Sequence, residues 1–329
     1  MSNSLGNKIK MSLFGQSHSD YIGVVINGLA PGLHIDQDEL REFMKRRAPG
    51  RDEFSTKRKE ADEVIFLSGL IDGKTCGAPV CAVIKNTNVI KSDYKALKNI
   101  PRPGHSDYAA YMKFGGNSDS TGGGQFSGRM TAPMCIAGGI ALQQLRKLGI
   151  NVTASIDEIA GVSGDAMFDE IRKAREEGDS VGGIVKCEIE GMPKGIGDAL
   201  FGGIEGRIAQ GIFGIPAVKG LEFGSGFKGS TYRGSINNDA FILEDGEIKT
   251  KTNNHGGILG GISSGMPIVF RVAFKPTPSI SRLQQSVNIE TKECVDISIK
   301  GRHDPCIVPR AVPVVEAVAA FIIYDMICE

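Results

Sequence analysis

Two stretches of the chain overlay directly: GLIDGKTCGAPVCAVIK at 69–85 and GILGGISSGMPIVFRVAFK at 257–275. Gly69 and Gly257, Gly73 and Gly261, Gly77 and Gly265, and Pro79 and Pro267 fall in register without a gap. In each copy glycine turns lead into a short apolar run of strand character. A second match lies upstream, GLAPG at 28–32 against GMPKG at 191–195, each after a strand and before a helical stretch. Each half also closes with an arginine ahead of a long apolar helix, Arg129 before 132–148 and Arg310 before 311–327. The repetition predicts two similar halves divided near residue 150, forming one domain over 1–329, with a ligand cleft where they meet.

The first half carries conventional local signals. Lys8–Phe14 and Tyr21–Gly28 are strand-like. Asp36 with Glu39 three residues on forms a capping-box pattern that opens a helix. Leu40, Phe43, Met44 and Arg47 share one face of that helix, and further strands are expected near Val64–Leu67 and Val80–Ile84. Residues 132–148 read as a helix in which Gly138 and Gly139 permit close packing.

Composition narrows the function. Lys plus Arg and Asp plus Glu balance at 38 each, so the basic excess of a general nucleic-acid binder is missing. The most apolar stretch, 311–328, contains Pro313, Glu316 and Asp325 and reads as a buried helix rather than a membrane span. The opening MSNSLGNKIKMSLFGQ lacks the apolar core of a secretion signal, and seven cysteines include no CxxC pair. A reduced, cytoplasmic setting with no metal, membrane or nucleic-acid partner is expected. Glycine is the outlier at 44 of 329 residues, grouped in motifs, and such clusters need a reason in positive φ or close backbone approach.

The densest cluster is DSTGGGQFSGRMTAP at 119–133. Three glycines before a helix can bring backbone N–H groups against a phosphate or a flat ring, with Ser127 and Arg129 in reach of the same anion. Neither dinucleotide nor P-loop spacing is present. Four of five histidines lie in tight or Gly-rich contexts: His18 in GQSHSDY, His105 in RPGHSDY, His255 in NNHGG and His303 in GRHDPC. Such turns suit an imidazole held at a cavity wall for proton transfer. Arg46, Arg47 and Arg51 in KRRAPGR, with Arg102, Arg129, Arg302 and Arg310, adjoin Gly/Pro turns and suit capture of phosphate or carboxylate. The residues by themselves point to a phosphorylated polyanion and to histidines poised to move protons.

Taken together, FGQSHSDYIGVVINGLAPG, KRRAPGR, LSGLIDGKTCGAPV, RPGHSDY, GGGQFSGRMTAP, GDSVGG, PAVKGLEFG, NNHGGILGGISSGMPI and GRHDPCIVPRAVPVVEA resemble the chorismate synthase family, in the family's order and along nearly the whole chain. The resemblance implies an α+β fold with a helical core between antiparallel sheets, and a homotetramer. It implies a carbon–oxygen lyase of the shikimate pathway, which leads to the aromatic amino acids. The reaction would be an anti 1,4-elimination of phosphate from 5-enolpyruvylshikimate 3-phosphate, with reduced FMN and no net redox change. Fungal relatives reduce their own flavin with NADPH, and many others depend on an external reductant. With no appended reductase domain visible in the sequence, external supply of reduced FMN (FMNH2), as by an NADPH-dependent flavin reductase, is the expectation.

The same resemblance implies roles. His18 would serve the reduced flavin and His105 the departing phosphate. Gln125, Phe126, Ser127 and Ala217 would contact FMN. So would Gly260, the run Lys275, Pro276, Thr277, Pro278 and Ser279, and Arg302. Arg46, Arg47, Arg51 and Arg129 would hold anionic ligand. The chain departs from the family at Thr121, where many relatives carry Arg, and at Glu53, where a second ligand arginine is expected. These departures give weight to an alternative, a degenerate flavin- or phospho-ligand-binding relative without catalysis.

Overall fold

The computed structural model describes residues 3–50, 62–87, 99–119, 121–299 and 304–329. Two antiparallel sheets enclose a helical layer, an α+β arrangement. The first sheet runs in the order Ser4–Leu5, Lys10–Gly15, Tyr21–Asn27, Val80–Lys85, Ile65–Ser68. The second runs Asn151–Ile159, Gly183–Glu190, Ile268–Phe274, Val218–Phe223. Apart from the extra edge strand at Ser4–Leu5, the two sheets follow the same chain order.

The matched glycine segments show the repeat at the level of single bonds. All six glycines have positive φ, between 74° and 89°, which explains why no other residue type stands there. Leu70–Ile71 pairs with Lys74–Thr75 as Ile258–Leu259 pairs with Ile262–Ser263. The hydroxyl closing each hairpin is buried and used identically. Thr75 Oγ1 donates to Ala30 O and accepts from Leu33 N, while Ser263 Oγ donates to Pro193 O and accepts from Ile196 N. Those acceptors and donors lie in or beside GLAPG and GMPKG, so the two motif pairs identified in sequence form one construction used twice.

Between the sheets lie the helices Thr131–Lys147 and Val308–Ile327. The first touches the Tyr21–Asn27 and Val80–Lys85 strands, and the second touches Asn151–Ile159 and Gly183–Glu190. Both are buried along almost their whole length, which is why their sequences lack a clear polar stripe. They meet where Gly138 faces Ala317, so closely that a Cβ on Gly138 would collide with the Ala317 backbone. Gly139 leaves room for Leu40 and Phe43 of the Gln37–Arg47 helix.

That helix is capped as expected, Asp36 accepting from the amides of Asp38 at 3.0 Å and Glu39 at 2.9 Å. The reciprocal half of the capping box is absent. Glu39 instead pairs with Arg146, and the Asp36 amide is satisfied by Gln143 Oε1 at 2.9 Å. In the Val308–Ile327 helix, buried Asp325 accepts from the backbone amides of Asn7, Lys8 and Ile9 and from Arg207.

Two helical glycines therefore have opposite fates. Gly138→Ala will lower the unfolding free energy by about 1–3 kcal/mol through overpacking. Gly206→Ala in Ile204–Ile212, where the nearest atom to a new Cβ is 3.8 Å away, will raise it by roughly 0.5–1 kcal/mol. Urea unfolding of both variants checks this, and changes of equal sign would contradict the helix contact.

Candidate active site

The triple glycine is where two histidines converge. Gly122, Gly123 and Gly124 have φ of 59°, 90° and 53°, a left-handed run closed to other residue types. A Cβ on Gly122 would occupy the place of the His18 ring, and one on Gly123 would stand 3.0 Å from His105 Nε2. The turn is tied to the His18 loop by Ser17 N donating to Gly124 O at 3.0 Å. His18 is buried, with Nδ1 3.1 Å from Ser17 Oγ. The glycines thus supply the absence of side chains that lets two imidazoles approach one turn.

His105 is held from its other side. Its Nδ1 lies 2.6 Å from Asp107 Oδ1 at the first residue of the Asp107–Phe114 helix. Arg102 donates to the same carboxylate from its amide at 3.0 Å, Nε at 2.7 Å and Nη2 at 2.8 Å. Burial pushes the Asp107 carboxyl up, but the bonds from Arg102 and His105 outweigh it and hold it well below the usual carboxylate range.

The His105 loop is also joined to the second half of the chain. Lys275 Nζ donates to Gly104 O, and Arg102 Nη1 to Ser279 Oγ at 3.3 Å. Burial, reinforced by nearby Lys219, holds the Lys275 ammonium below its ordinary value. Lys275 N in turn donates to Ala217 O at 3.0 Å. Three of the residues expected at the cofactor, Ala217, Lys275 and Ser279, are therefore connected to His105.

The His18 loop leads elsewhere. Asn86, buried, donates from Nδ2 to Gln16 O and Ser19 O and accepts from Arg129 Nε at 3.0 Å. Arg129 and Arg47 both engage Asp62, whose side chain is fully buried, Arg47 Nη1 at 2.6 Å. Arg47 also donates to Thr131 Oγ1 and Gly128 O. Arg310 donates from Nε to Arg47 O and from Nη1 to Asp304 at 2.6 Å. Among the described residues, this cluster brings three guanidiniums together with two carboxylates. Burial pushes Asp62 up, yet Arg47 and Arg129 prevail and hold it below the usual carboxylate range.

Arg46 is not part of that cluster. Its guanidinium forms a two-pronged pair with buried Glu316, at 2.6 and 3.0 Å, and lies over the Phe43 ring. Gln125 and Ser127 are half-buried, and Phe126, 39% exposed, stands 6.5 Å from Phe114. Thr121 bonds Asp119 through both its amide and its hydroxyl. Gly260 sits at the tip of its hairpin with open space at the Cβ position among the described residues. Arg51, Arg302, His303 and Glu53 lie outside the described residues.

His255 has a structural setting. Its Nδ1 pairs with Asp239 and its Nε2 stands 2.9 Å from Ser264 Oγ, joining two loops. Asp62, Asn86 and Asp107 were not singled out in the sequence. Only Asp107 had a local signal, an acid two residues after His105 at a helix start. The other two act through partners 15 to 70 residues away.

An FMN-sized, flat and phosphorylated cofactor is compatible with these residues. The glycine turn carries no side chains beside the two histidines, an exposed Phe126 follows it, and Thr277 Oγ1 is buried without a hydrogen-bond partner among the described residues.

Comparisons with known proteins agree along the whole length. The family model described as "Chorismate synthase" matches residues 9–328. A chorismate synthase of Korarchaeum cryptofilum is 43% identical, covering 98% of this chain and 96% of its own. That of Thermococcus kodakarensis is 45% identical, covering 97% and 96%. A solved chorismate synthase structure superposes with a TM-score of 0.76 over 98% of this chain and 92% of the other, at 24% identity.

Replacing Asp62 by Asn will take the shared carboxylate charge away from Arg47 and Arg129 and cost about 3–5 kcal/mol of stability in urea unfolding near neutral pH. Because the folded carboxyl sits below its unfolded value of about 3.9, its contribution is full above that pH. It is lost as pH falls through the folded value, so wild-type and variant stabilities should converge in acid. A pH-independent gap would assign the loss to something other than the carboxylate charge.

Proposed function

The chain belongs to the chorismate synthase family, and from that premise we propose that it eliminates phosphate and a ring hydrogen from 5-enolpyruvylshikimate 3-phosphate to give chorismate. The observation that carries this reading is the convergence of His18 and His105 on one glycine turn, each leading to a different set of partners. Reduced FMN, when bound, supplies the electron density that lets a non-acidic ring hydrogen leave. Gln125, Phe126, Ser127, Ala217 and the run Lys275–Ser279 would hold it. The chain's own work is to bind, orient, exclude water and place protons.

The connections support a division of labour that reverses the one implied by the sequence resemblance. Through Asn86 the His18 loop is attached to the arginine cluster, and that cluster suits the phosphate and carboxylates of the substrate. Through Gly104 and Ser279 the His105 loop is attached to the expected flavin segment. We therefore assign His18 to the departing phosphate and His105 to the cofactor. Arg47 and Arg129, held by Asp62, would meet the substrate's anionic groups without having to be desolvated at that moment.

Oligomerisation belongs to the same proposal. The Phe241–Glu244 and Glu247–Thr250 hairpin exposes Phe241, Leu243 and Ile248 on one face, and Leu200 and Phe201 are almost bare. Apolar surface of this kind favours association into the expected homotetramer. Light scattering that gave a monomer mass would remove that part. No helix among the described residues is long and apolar enough to cross a membrane.

The deciding experiment is anaerobic incubation with 5-enolpyruvylshikimate 3-phosphate and chemically reduced FMN. Chorismate and phosphate should appear in equal amounts; binding of both without product would favour the non-catalytic alternative. Oxidised FMN plus NADPH should yield product only when a flavin reductase is added. His18→Ala should slow turnover roughly 10²–10⁴-fold with FMN affinity little changed. His105→Ala should alter the spectrum of bound reduced flavin, and the opposite pattern would restore the first assignment.

A further inference from the structure

His105 has two ring nitrogens in unlike surroundings. Nδ1 stands 2.6 Å from Asp107 Oδ1, and Nε2 is the nitrogen nearest the Gly123 turn. Arg102 Nη2 lies 3.1 Å from Nδ1 and 3.3 Å from Nε2, and Lys275 approaches the same loop at Gly104. Among the described residues, Asp107, Arg102 and Lys275 are the charged groups around this ring.

The donor and acceptor inventory settles what these contacts require. An ionised carboxylate only accepts, and a guanidinium only donates. Asp107 is kept ionised by three bonds from Arg102, so Nδ1 must carry a hydrogen to meet it at 2.6 Å. Nε2 is then the ring position left to gain or lose a proton, while Arg102 Nη2, at similar distances from both ring nitrogens, does not choose between them.

From this we infer that Asp107, aimed by Arg102, is a positioning residue that fixes His105 in its Nδ1-protonated form and makes Nε2 its proton-exchanging nitrogen. Each exchange breaks or forms one N–H bond at Nε2, while the Nδ1–H bond stays on Asp107. The logic is that of a buried carboxylate behind a catalytic imidazole, which selects the tautomer without itself taking the proton. The functional consequence rests on the reading of His105 given above, but the tautomer does not.

Asp107→Asn is the informative change because Arg102 dictates how an amide would sit. Two Arg102 donors, the amide and Nε, point at Oδ2 against one, Nη2, at Oδ1, so the asparagine oxygen takes the Oδ2 side and its NH2 group faces His105. Nδ1 must then accept, and the ring proton moves to Nε2.

The measurement is 15N NMR of histidine-labelled full-length protein in the neutral-ring pH range, with His105→Ala identifying the signals. Wild type should show a protonated Nδ1 and an unprotonated Nε2, Asp107→Glu the same, and Asp107→Asn the reverse. Wild type in the Nε2–H form overturns the inference on its own, even should the asparagine variant fail to fold. An unchanged tautomer in a folded Asp107→Asn protein overturns it equally. In the anaerobic assay, kcat of Asp107→Asn should fall roughly 10²-fold or more with KM for substrate within a few-fold, and Asp107→Glu should recover part of it. Wild-type protein that makes no chorismate would sink the functional reading and leave the NMR result to decide the tautomer.

Discussion

Two imidazole rings occupy the volume that side chains at positions 122 and 123 would fill, and the architecture of the site follows from that exclusion. His18 reaches the turn from the first sheet's loop, and His105 from the loop that opens the Asp107–Phe114 helix. Neither approach tolerates a methyl group on the turn, and the positive φ values exclude one a second time. The three glycines that looked like a cradle for a ligand alone are first a cradle for the protein's own histidines. A ligand placed there would meet both rings at once, which is what the proposed elimination asks of two proton-handling groups.

Fixed charge then holds these groups in place. Asp107 with Arg102, Asp62 with Arg47 and Arg129, and Asp304 with Arg310 are all partly or fully buried pairs. Pairs of this kind contribute little net stability, because desolvation offsets most of the Coulomb gain. Their value lies in direction. A guanidinium held by a buried carboxylate already has its solvent stripped and its fork aimed, so an incoming phosphate or carboxylate meets less reorganisation. The same reasoning explains why Arg46 differs from its neighbour Arg47. Arg46 turns its side chain to Glu316, whose carboxylate also accepts from Ala154 N on the second sheet, so that Glu316 ties helix to helix and helix to sheet.

Much of this was legible in the sequence where the information is local. The capped helix, the strands, the helix-packing glycines and the register of the two glycine segments follow from periodicity and turn chemistry over a few residues. The histidines were legible because Gly and Pro flanked them. What could not be read was partnership at a distance. Nothing near Asp62 announces that it will sit between Arg47 and Arg129, 15 and 67 residues away. Likewise KRR at 45–47 contains two arginines of equal promise, and only the direction each takes from the helix separates the Asp62 cluster from a structural pin. Glu316 was seen merely as an interruption in an apolar run, although a buried carboxylate there demanded a cation. The failed half of the capping box has the same cause, since Arg146 and Gln143 come from another helix.

The repeated plan explains where chemistry can arise. Both halves use the same hairpin, the same buried hydroxyl and the same strand order, and those shared parts shape the core. The histidines have no counterpart in the repeat: GQSHSDY and RPGHSDY lie in the first half, and the second half answers with Lys275 and Ser279. Duplicated structure thus provides two rigid walls, and the unduplicated loops bridging them are free to carry different groups. Because Lys275 and Arg102 bind across that seam, any shift of one wall against the other would move Asp107 and His105 together. The geometry between the imidazole and its carboxylate is therefore protected even where the geometry between the halves is not.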